Sequence, residues 1–287
     1  MDGIIIINKP RNYTSRDIVN IIGKKFNTKK VGHTGTLDPI AEGVLIITLN
    51  KCTKLSDILT SETKKYIATL KFGELTDTLD ITGNVIKTSD KIPTKEEILN
   101  CLKTFPKEYD QEVPIYSAVK VNGKKLYEYA RNGISVSLPK REINIYDIEL
   151  LGDIDILDNH QEFSFRVRVS KGTYIRSLIR DIGIKLGTCA VMKELTRTKQ
   201  GKFCIENAYA IEEIKNDNYE LLNISDVVDI PMVTVSDELL FKIKNGMVLD
   251  KFFDDEKVLI LDNLGNEIGI YKVYDKDNSK VKPDKIF

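Results

Sequence analysis

Long apolar runs are missing from this chain. An early one, Ile4–Ile7, falls far short of the ~18 residues that cross a bilayer, so no membrane span is expected. It follows Met1 and Asp2 with no basic segment before it, which argues against a secretory leader and for a short buried strand. Cysteine is scarce: Cys52, Cys101, Cys189 and Cys204, none in a C-x-x-C pair. Histidine is scarcer, with His33 and His160 alone, neither near a cysteine. The usual zinc spacings are absent, so no metal is expected. Without a leader, the thiols read as free groups in a reducing compartment, and the expected location is the cytoplasm. Net charge is also missing, since 43 basic residues balance 43 acidic ones. Taken whole, the charge points to no nucleic-acid partner.

What is present is a chain of 287 residues, 41% apolar and 30% charged. That is long enough for one or two domains and apolar enough for a core without disulfide or metal staples. The charge is unevenly spread. Residues 163–204 carry ten Lys/Arg against two acids, a local +8, and residues 205–238 carry nine acids against one lysine, a local −8. Residues 1–35 hold seven basic residues and two acidic ones. Such asymmetry fits a protein with one phosphate-facing surface; a solvated face of chance composition gives the same pattern.

Along the chain, Thr14 or Ser15 can cap a helix in which Ile18, Ile21, Ile22 and Phe26 recur at helical spacing. A glycine-containing loop is expected at 32–38, a buried strand over Val44 to Leu49, and a helical stretch at 53–59. Tyr66, Ala68, Leu70 and Phe72 alternate with Ile67, Thr69 and Lys71, as a strand does. Residues 114–140 carry Tyr116, Lys120, Lys124, Lys125, Tyr127, Tyr129 and Arg131 around an Asn122-Gly123 turn. A basic, tyrosine-rich hairpin suits base stacking and phosphate pairing, and an ordinary surface hairpin has the same composition. Strands are expected near 142–150 and 162–170, then a helix from about Tyr174 to Leu186, stopped by Gly187. Arg176 and Arg180, four apart, share one face of it. After about residue 230, a helix at 236–244 and strands near 257–262 and 267–274 read as a small, mostly β appendix. Strands and helices mix without strict alternation, which points to an α+β fold.

Two stretches are unusual enough to carry chemistry. In Gly32-His33-Thr34-Gly35-Thr36-Leu37-Asp38-Pro39, two glycines let a ligand approach the backbone closely. The following proline biases Asp38 to an extended conformation, which can project its carboxylate outward. An aspartate so placed also opens turns and caps helices. His33 is either a near-neutral base or a positional residue. In Ser170-Lys171-Gly172-Thr173-Tyr174-Ile175-Arg176, Arg176 falls in the first helical turn. Opposite charge favours the ionised form of an enclosed carboxylate, so Arg176 is a candidate partner for Asp38; a surface arginine is the alternative.

At these residues the chain resembles the TruB-type tRNA pseudouridine synthases. GHTGTLDPIAEGVL at 32–45 is similar to their catalytic motif. INKPRNYTS at 7–15, KKYIATLKFGELTDTLDITG at 64–83, VPIYSAVKVNGKKLYEYAR at 113–131 and SKGTYIRSLIRDIGIKLG at 170–187 are similar to further family segments, in the family's order. Asn12 stands where the family has glycine, Ile115 where it has proline, and Val191 and Thr196 where His and Arg are common. Asparagine tolerates left-handed backbone angles better than most residues, so the Asn12 loop can survive.

The resemblance implies an enzyme that isomerises a uridine of the tRNA T-loop, at position 55, with no cofactor, metal or obligate protein partner. It implies a mixed, mainly antiparallel sheet with flanking helices over residues 1–230, an RNA-clamping insertion at about 114–140, and a small PUA-like β domain over 231–287. It makes Asp38 the catalytic carboxylate, Tyr66 the ring that stacks on the flipped base and Arg176 the partner of Asp38. Tyr174 and Leu195 are expected in the pocket. His33, Lys9, Lys120, Lys124, Arg131 and Arg197 are expected among the residues that meet or surround the RNA. Two rivals stand beside this reading: a non-catalytic RNA-binding or tRNA-folding protein, and a hydrolase acting on free nucleosides.

Overall fold

The run Ile4–Ile7 belongs to a strand, Gly3–Lys9, that is covered on both faces, which is why its apolar residues do not alternate. A computed structural model describes residues 1–157 and 160–287 of the chain. The first strand pairs antiparallel with Glu42–Leu49, Ile5 opposite Ile47. Ile5, Ile7, Leu45, Ile47 and Leu49 face the main core, where they meet Ile18 and Ile22 of the helix Ser15–Lys25. Ile4, Ile6, Val44 and Ile46 face a second apolar cluster that also contains Leu259 and Ile270 from the C-terminal part of the chain. Two continuous apolar runs therefore form the partition between two cores.

Among the described residues, nine strands form one mixed sheet. Its main path runs Gly3–Lys9, Glu42–Leu49, Ala190–Gln200, Lys64–Phe72, His160–Val169, Lys140–Leu157 and Glu108–Glu112. Ala190–Gln200 meets Glu42–Leu49 in parallel, Thr196 opposite Glu42, and runs antiparallel to Lys64–Phe72. Tyr66, Ala68, Leu70 and Phe72 are buried on one face of the central strand, as their spacing predicts. That face also carries a buried lysine, Lys64, which the apolar alternation did not reveal.

The sheet has a split that places the site. Along one side of Glu42–Leu49, the short strand Val31–Thr34 pairs with residues 46–49, and Ala190–Gln200 pairs with residues 42–43. The chain between Thr34 and Glu42, which includes Asp38, leaves the sheet where these two strands meet. Three of the seven residues of the expected 32–38 loop are thus strand. Gly43 permits the close approach: it has φ of 101°, and a Cβ there would lie 2.3 Å from the Arg197 carbonyl oxygen.

The helix Ile175–Leu186 buries Leu178, Ile179 and Ile182 against the sheet and stops at Gly187, whose φ is 72°. Thr14, the N-cap of the first helix, forms a capping box with Asp17. Glu108–Glu112 and Lys140–Leu157 are hairpin partners, Glu112 opposite Lys140. The segment 113–139 projects from this connection and is closed at its base by a bond from the Val113 N–H to the Pro139 carbonyl. It contains the small hairpin Lys120–Val121 and Lys124–Lys125, turned at Asn122 and Gly123 with positive φ, and the helix Leu126–Arg131.

The C-terminal sheet follows the order Met232–Thr234, Lys257–Leu261, Glu267–Tyr274, Asp277–Ile286, Leu249–Asp250. The helix Asp237–Lys244 packs on it. Asp277–Ile286 escapes a reading by pattern, because Val281 is its one fully enclosed apolar residue and Pro283 interrupts it. Its outer neighbour pairs only with Val281 and Lys280, so no ladder on that side needs an N–H from Pro283.

Candidate active site

The loop that carries Asp38 is held by three enclosed polar side chains. Lys9 is fully buried, and its ammonium donates to the carbonyls of Pro10 at 2.9 Å, Tyr13 at 2.6 Å and, more weakly, Pro39 at 3.5 Å. Ser15 Oγ accepts from the Leu37 N–H at 2.9 Å and donates to the Leu37 carbonyl at 3.2 Å. Arg197 Nη2 donates to the Gly35 carbonyl and Nε to that of Val44, both at 2.7 Å. Asn12 has φ of 69°, in the left-handed region that asparagine tolerates better than most residues, and its N–H donates to Pro39 O at 2.7 Å. Leu37, Ile40 and Ala41 are buried on either side of Asp38, so the loop is pinned by apolar anchors as well.

Arg176 fixes the carboxylate. Its Nε lies 2.9 Å from Oδ2 of Asp38 and its Nη2 donates to Oδ1 at 2.9 Å, a two-point fork. The remaining donors reach the carbonyls of Thr78 at 2.8 Å and Tyr116 at 3.0 Å. The Arg176 side chain is 5% exposed, whereas the Asp38 side chain keeps 32% of its surface open. The arginine is structure; the aspartate is presented.

Thr78 belongs to a loop shaped by Asp80, whose Oδ1 accepts from the Thr78 hydroxyl at 2.8 Å and from the Thr82 N–H at 3.0 Å. Leu79 within it has φ of 63°, a strained value for leucine. It is held by a bond from the Met192 N–H to the Leu79 carbonyl. This contribution comes from a backbone carbonyl, so no side chain in the sequence announces it.

Asp38 opens on a cleft of about 450 Å³. Tyr66, Tyr174, Leu195, Arg176 and Arg197 line it, together with Lys64, Tyr116 and Tyr127, which the sequence reading did not assign to a pocket. Tyr127 and Tyr116 come from the 113–139 insertion, which therefore forms one wall. Lys125 and Arg131 lie over the Tyr127 ring at 5.4 and 5.3 Å from its centroid. Burial raises the Tyr174 phenol above its ordinary range. Lys64 donates to the carbonyls of Thr60 and Glu62, and burial lowers its ammonium to about 8. The period-two spacing from Tyr66 was the available signal for Lys64.

The other expected residues lie elsewhere. Lys120, Lys124 and Arg131 are exposed on the insertion, outside the cleft lining. His33 sits in the strand Val31–Thr34, its Nδ1 enclosed with no hydrogen-bond partner. Burial, followed by Arg16 and Arg197, lowers its pKa. Lys9 and Arg197 are both enclosed and bond to backbone carbonyls in and beside the Asp38 loop, and Arg197 also lines the cleft.

Burial also lowers the Lys9 ammonium to about 8, against 10.5 unperturbed, with Asp38 and Glu42 opposing the shift. Below pH 8 both folded and unfolded chains hold this proton. Between about 8 and 10.5 only the unfolded chain does, so stability from Lys9 rises with pH. Relative to Lys9→Met, the wild type is expected to gain about 1–2 kcal/mol between about pH 7.5 and about pH 9.5. Urea unfolding of both proteins at the two pH values checks this.

The site is thus a pinned aspartate, forked by a buried arginine and open on a tyrosine-lined cleft beside a basic insertion, an arrangement suited to an enzyme. Comparison with known proteins identifies which. A model described as TruB family pseudouridylate synthase (N terminal domain) matches residues 23–175, and one described as tRNA pseudouridylate synthase B C-terminal domain matches residues 176–227. The tRNA pseudouridine synthase B of Clostridium tetani (strain Massachusetts / E88) is 49% identical over 77% of this chain and 75% of its own length. That of Staphylococcus aureus (strain N315) is 39% identical over 100% of this chain and 99% of its own. A chain in the solved "Structure of H/ACA RNP bound to a substrate RNA containing 2'-deoxyuridine" is similar with a TM-score of 0.68 at 26% identity, covering 99% of this chain and 84% of that one. The chain belongs to the TruB family of pseudouridylate synthases and is a tRNA pseudouridine synthase, an isomerase.

Proposed function

We propose that the protein converts the uridine at position 55, in the T-loop of tRNA, to pseudouridine, with Asp38 as the catalytic carboxylate. The observation that carries this reading is the two-point fork from Arg176, which aims an otherwise open Asp38 carboxylate into the cleft. In the reaction the N1–C1′ bond breaks with its electron pair left on N1, the uracil turns, the C5–C1′ bond forms, C5 loses its hydrogen as a proton and N1 takes up a proton, so that substrate and product are isomers. A carboxylate suits the step in which C1′ loses its base, as in glycoside hydrolysis. Flipping the uridine out of a folded loop costs a few kcal/mol. Stacking on the Tyr66 ring, worth about 1–3 kcal/mol, offsets part of that.

In this reading Tyr174 and Leu195 flank the base, and His33 meets RNA beside the flipped nucleotide. Lys120, Lys124 and Arg131 pair with phosphates as the insertion closes over the T-loop. Residues 1–230 act as the catalytic domain and residues 231–287 as a PUA-like RNA-binding domain. The setting is the cytoplasm, where the tRNA is processed.

Mapping the product in an unmodified tRNA transcript tests the assignment. One pseudouridine, at position 55, is expected; modification only at other uridines would overturn it. The Tyr66 hydroxyl has a separate role, handling the proton that leaves C5. Tyr66→Phe keeps the ring, so tRNA affinity is expected to stay within about twofold while single-turnover rate falls about tenfold or more. Full activity in Tyr66→Phe would remove the hydroxyl from the chemistry.

A further inference from the structure

The strand Glu108–Glu112 ends against the first turn of the Arg176 helix through polar contacts. Gln111 is 1% exposed. Its Oε1 accepts from the Tyr174 N–H at 2.8 Å, and its Nε2 donates to the Tyr174 carbonyl at 3.1 Å. The side-chain amide thus exchanges both bonds with one residue's backbone, as a paired strand would. The same Nε2 donates to the Tyr109 hydroxyl at 3.1 Å, which donates to Asp181 Oδ2 at 3.0 Å. Tyr174 is the N-cap of the helix, in extended conformation and with no side-chain cap bond of its own. Gln111 therefore fixes the residue from which the helix starts, and Arg176 follows two positions later.

The contacts continue along the chain. The Glu112 carbonyl accepts from Ser177 Oγ, and its carboxylate from Arg180 Nη1, both at 2.8 Å. The Tyr116 carbonyl accepts from Arg176 Nη2 at 3.0 Å. Segment 111–116 is thus tied at successive points to the helix that carries the arginine, and it leads directly into the 113–139 insertion. Gln111 itself does not line the cleft.

We propose that Gln111 is a positioning residue, which sets the register of the helix start so that Arg176 meets Asp38 at both oxygens and which couples the insertion to that pair. This rests on the reading of Asp38 and Arg176 given above. A side chain that merely satisfied buried polar groups would support stability without acting through Arg176.

The test is a double-mutant cycle on single-turnover pseudouridine formation with enzyme in excess, alongside tRNA Kd and Tm, for wild type, Gln111→Met, Arg176→Lys and the double variant. Methionine matches glutamine in length and makes neither bond. In the wild-type background, Gln111→Met is expected to slow turnover about tenfold or more while Kd stays within about twofold. In the Arg176→Lys background it is expected to cost less than about twofold, because the interaction it serves is already broken. An unchanged rate, a loss of affinity in step with rate, or the same tenfold cost on both backgrounds would overturn the inference. If the wild type itself forms no pseudouridine, the functional reading fails; wild-type turnover with an additive cycle rejects Gln111 alone. Should Gln111→Met not fold, Ser177→Ala removes only the neighbouring tie to Glu112. It is expected to slow turnover about threefold at unchanged Kd, and a wild-type rate would count against the coupling.

Discussion

Asp38→Asn is expected to abolish turnover, by about 10⁴-fold or more, while tRNA affinity stays within a few-fold. The two halves have separate physical grounds. Turnover requires a charged oxygen at the reacting sugar or base, and an amide cannot supply it. Affinity for RNA comes mainly from cations on phosphates, and Asp38 contributes the opposite charge. The loop would keep its form, because Lys9, Ser15 and Arg197 hold it through backbone groups at 39, 37 and 35, respectively, rather than through the carboxylate. Single-turnover rates and binding titrations on the same preparations measure both quantities. A large loss of affinity would mean that Asp38 chiefly shapes the loop.

Arg176→Lys is expected to slow turnover by about 10²- to 10³-fold despite conserving charge. The guanidinium serves four acceptors at once: both Asp38 oxygens and the carbonyls of Thr78 and Tyr116. Lysine has three donors on one nitrogen and no planar fork, so at least one acceptor loses its partner in a site that is 5% exposed at the arginine. An enclosed carbonyl left unpaired costs about 1–3 kcal/mol. The carboxylate also gains freedom to rotate, and small displacements from productive geometry are costly in rate. Thermal unfolding and single-turnover assays should therefore both move. A lysine variant within about tenfold of wild type would show that charge alone suffices.

How much of this was legible beforehand varied with the physics of each element. Ile4–Ile7 and Val44–Leu49 read as buried strands because a strand covered on both faces has no reason to alternate. The Arg176 helix read clearly because its apolar stripe and Gly187 agree. The last strand was hidden because it is polar and contains Pro283. Within the site, Asp38 and Arg176 lie 138 positions apart in sequence; opposite charge made Arg176 a candidate partner and the motif resemblance chose it, while spacing said nothing. Lys9 was placed near the catalytic loop by the motif resemblance, but its burial was not legible. Its burial follows from carbonyls that Tyr13 and Pro39 bring round it, and a linear reading does not carry that information. Thr78 and Tyr116 contribute backbone oxygens, which every residue has. Gln111 lies 63 positions from the backbone it grips.

The central claim is that this cleft moves a uracil from N1 to C5 attachment by means of Asp38. Tritium release from tRNA labelled at uridine C5 tests it most directly, because forming the C5–C1′ bond must expel that hydrogen. Release by the wild type and none by Asp38→Ala is the predicted result. No release by a wild-type protein that binds tRNA tightly would contradict the account and leave a protein that binds RNA without changing it.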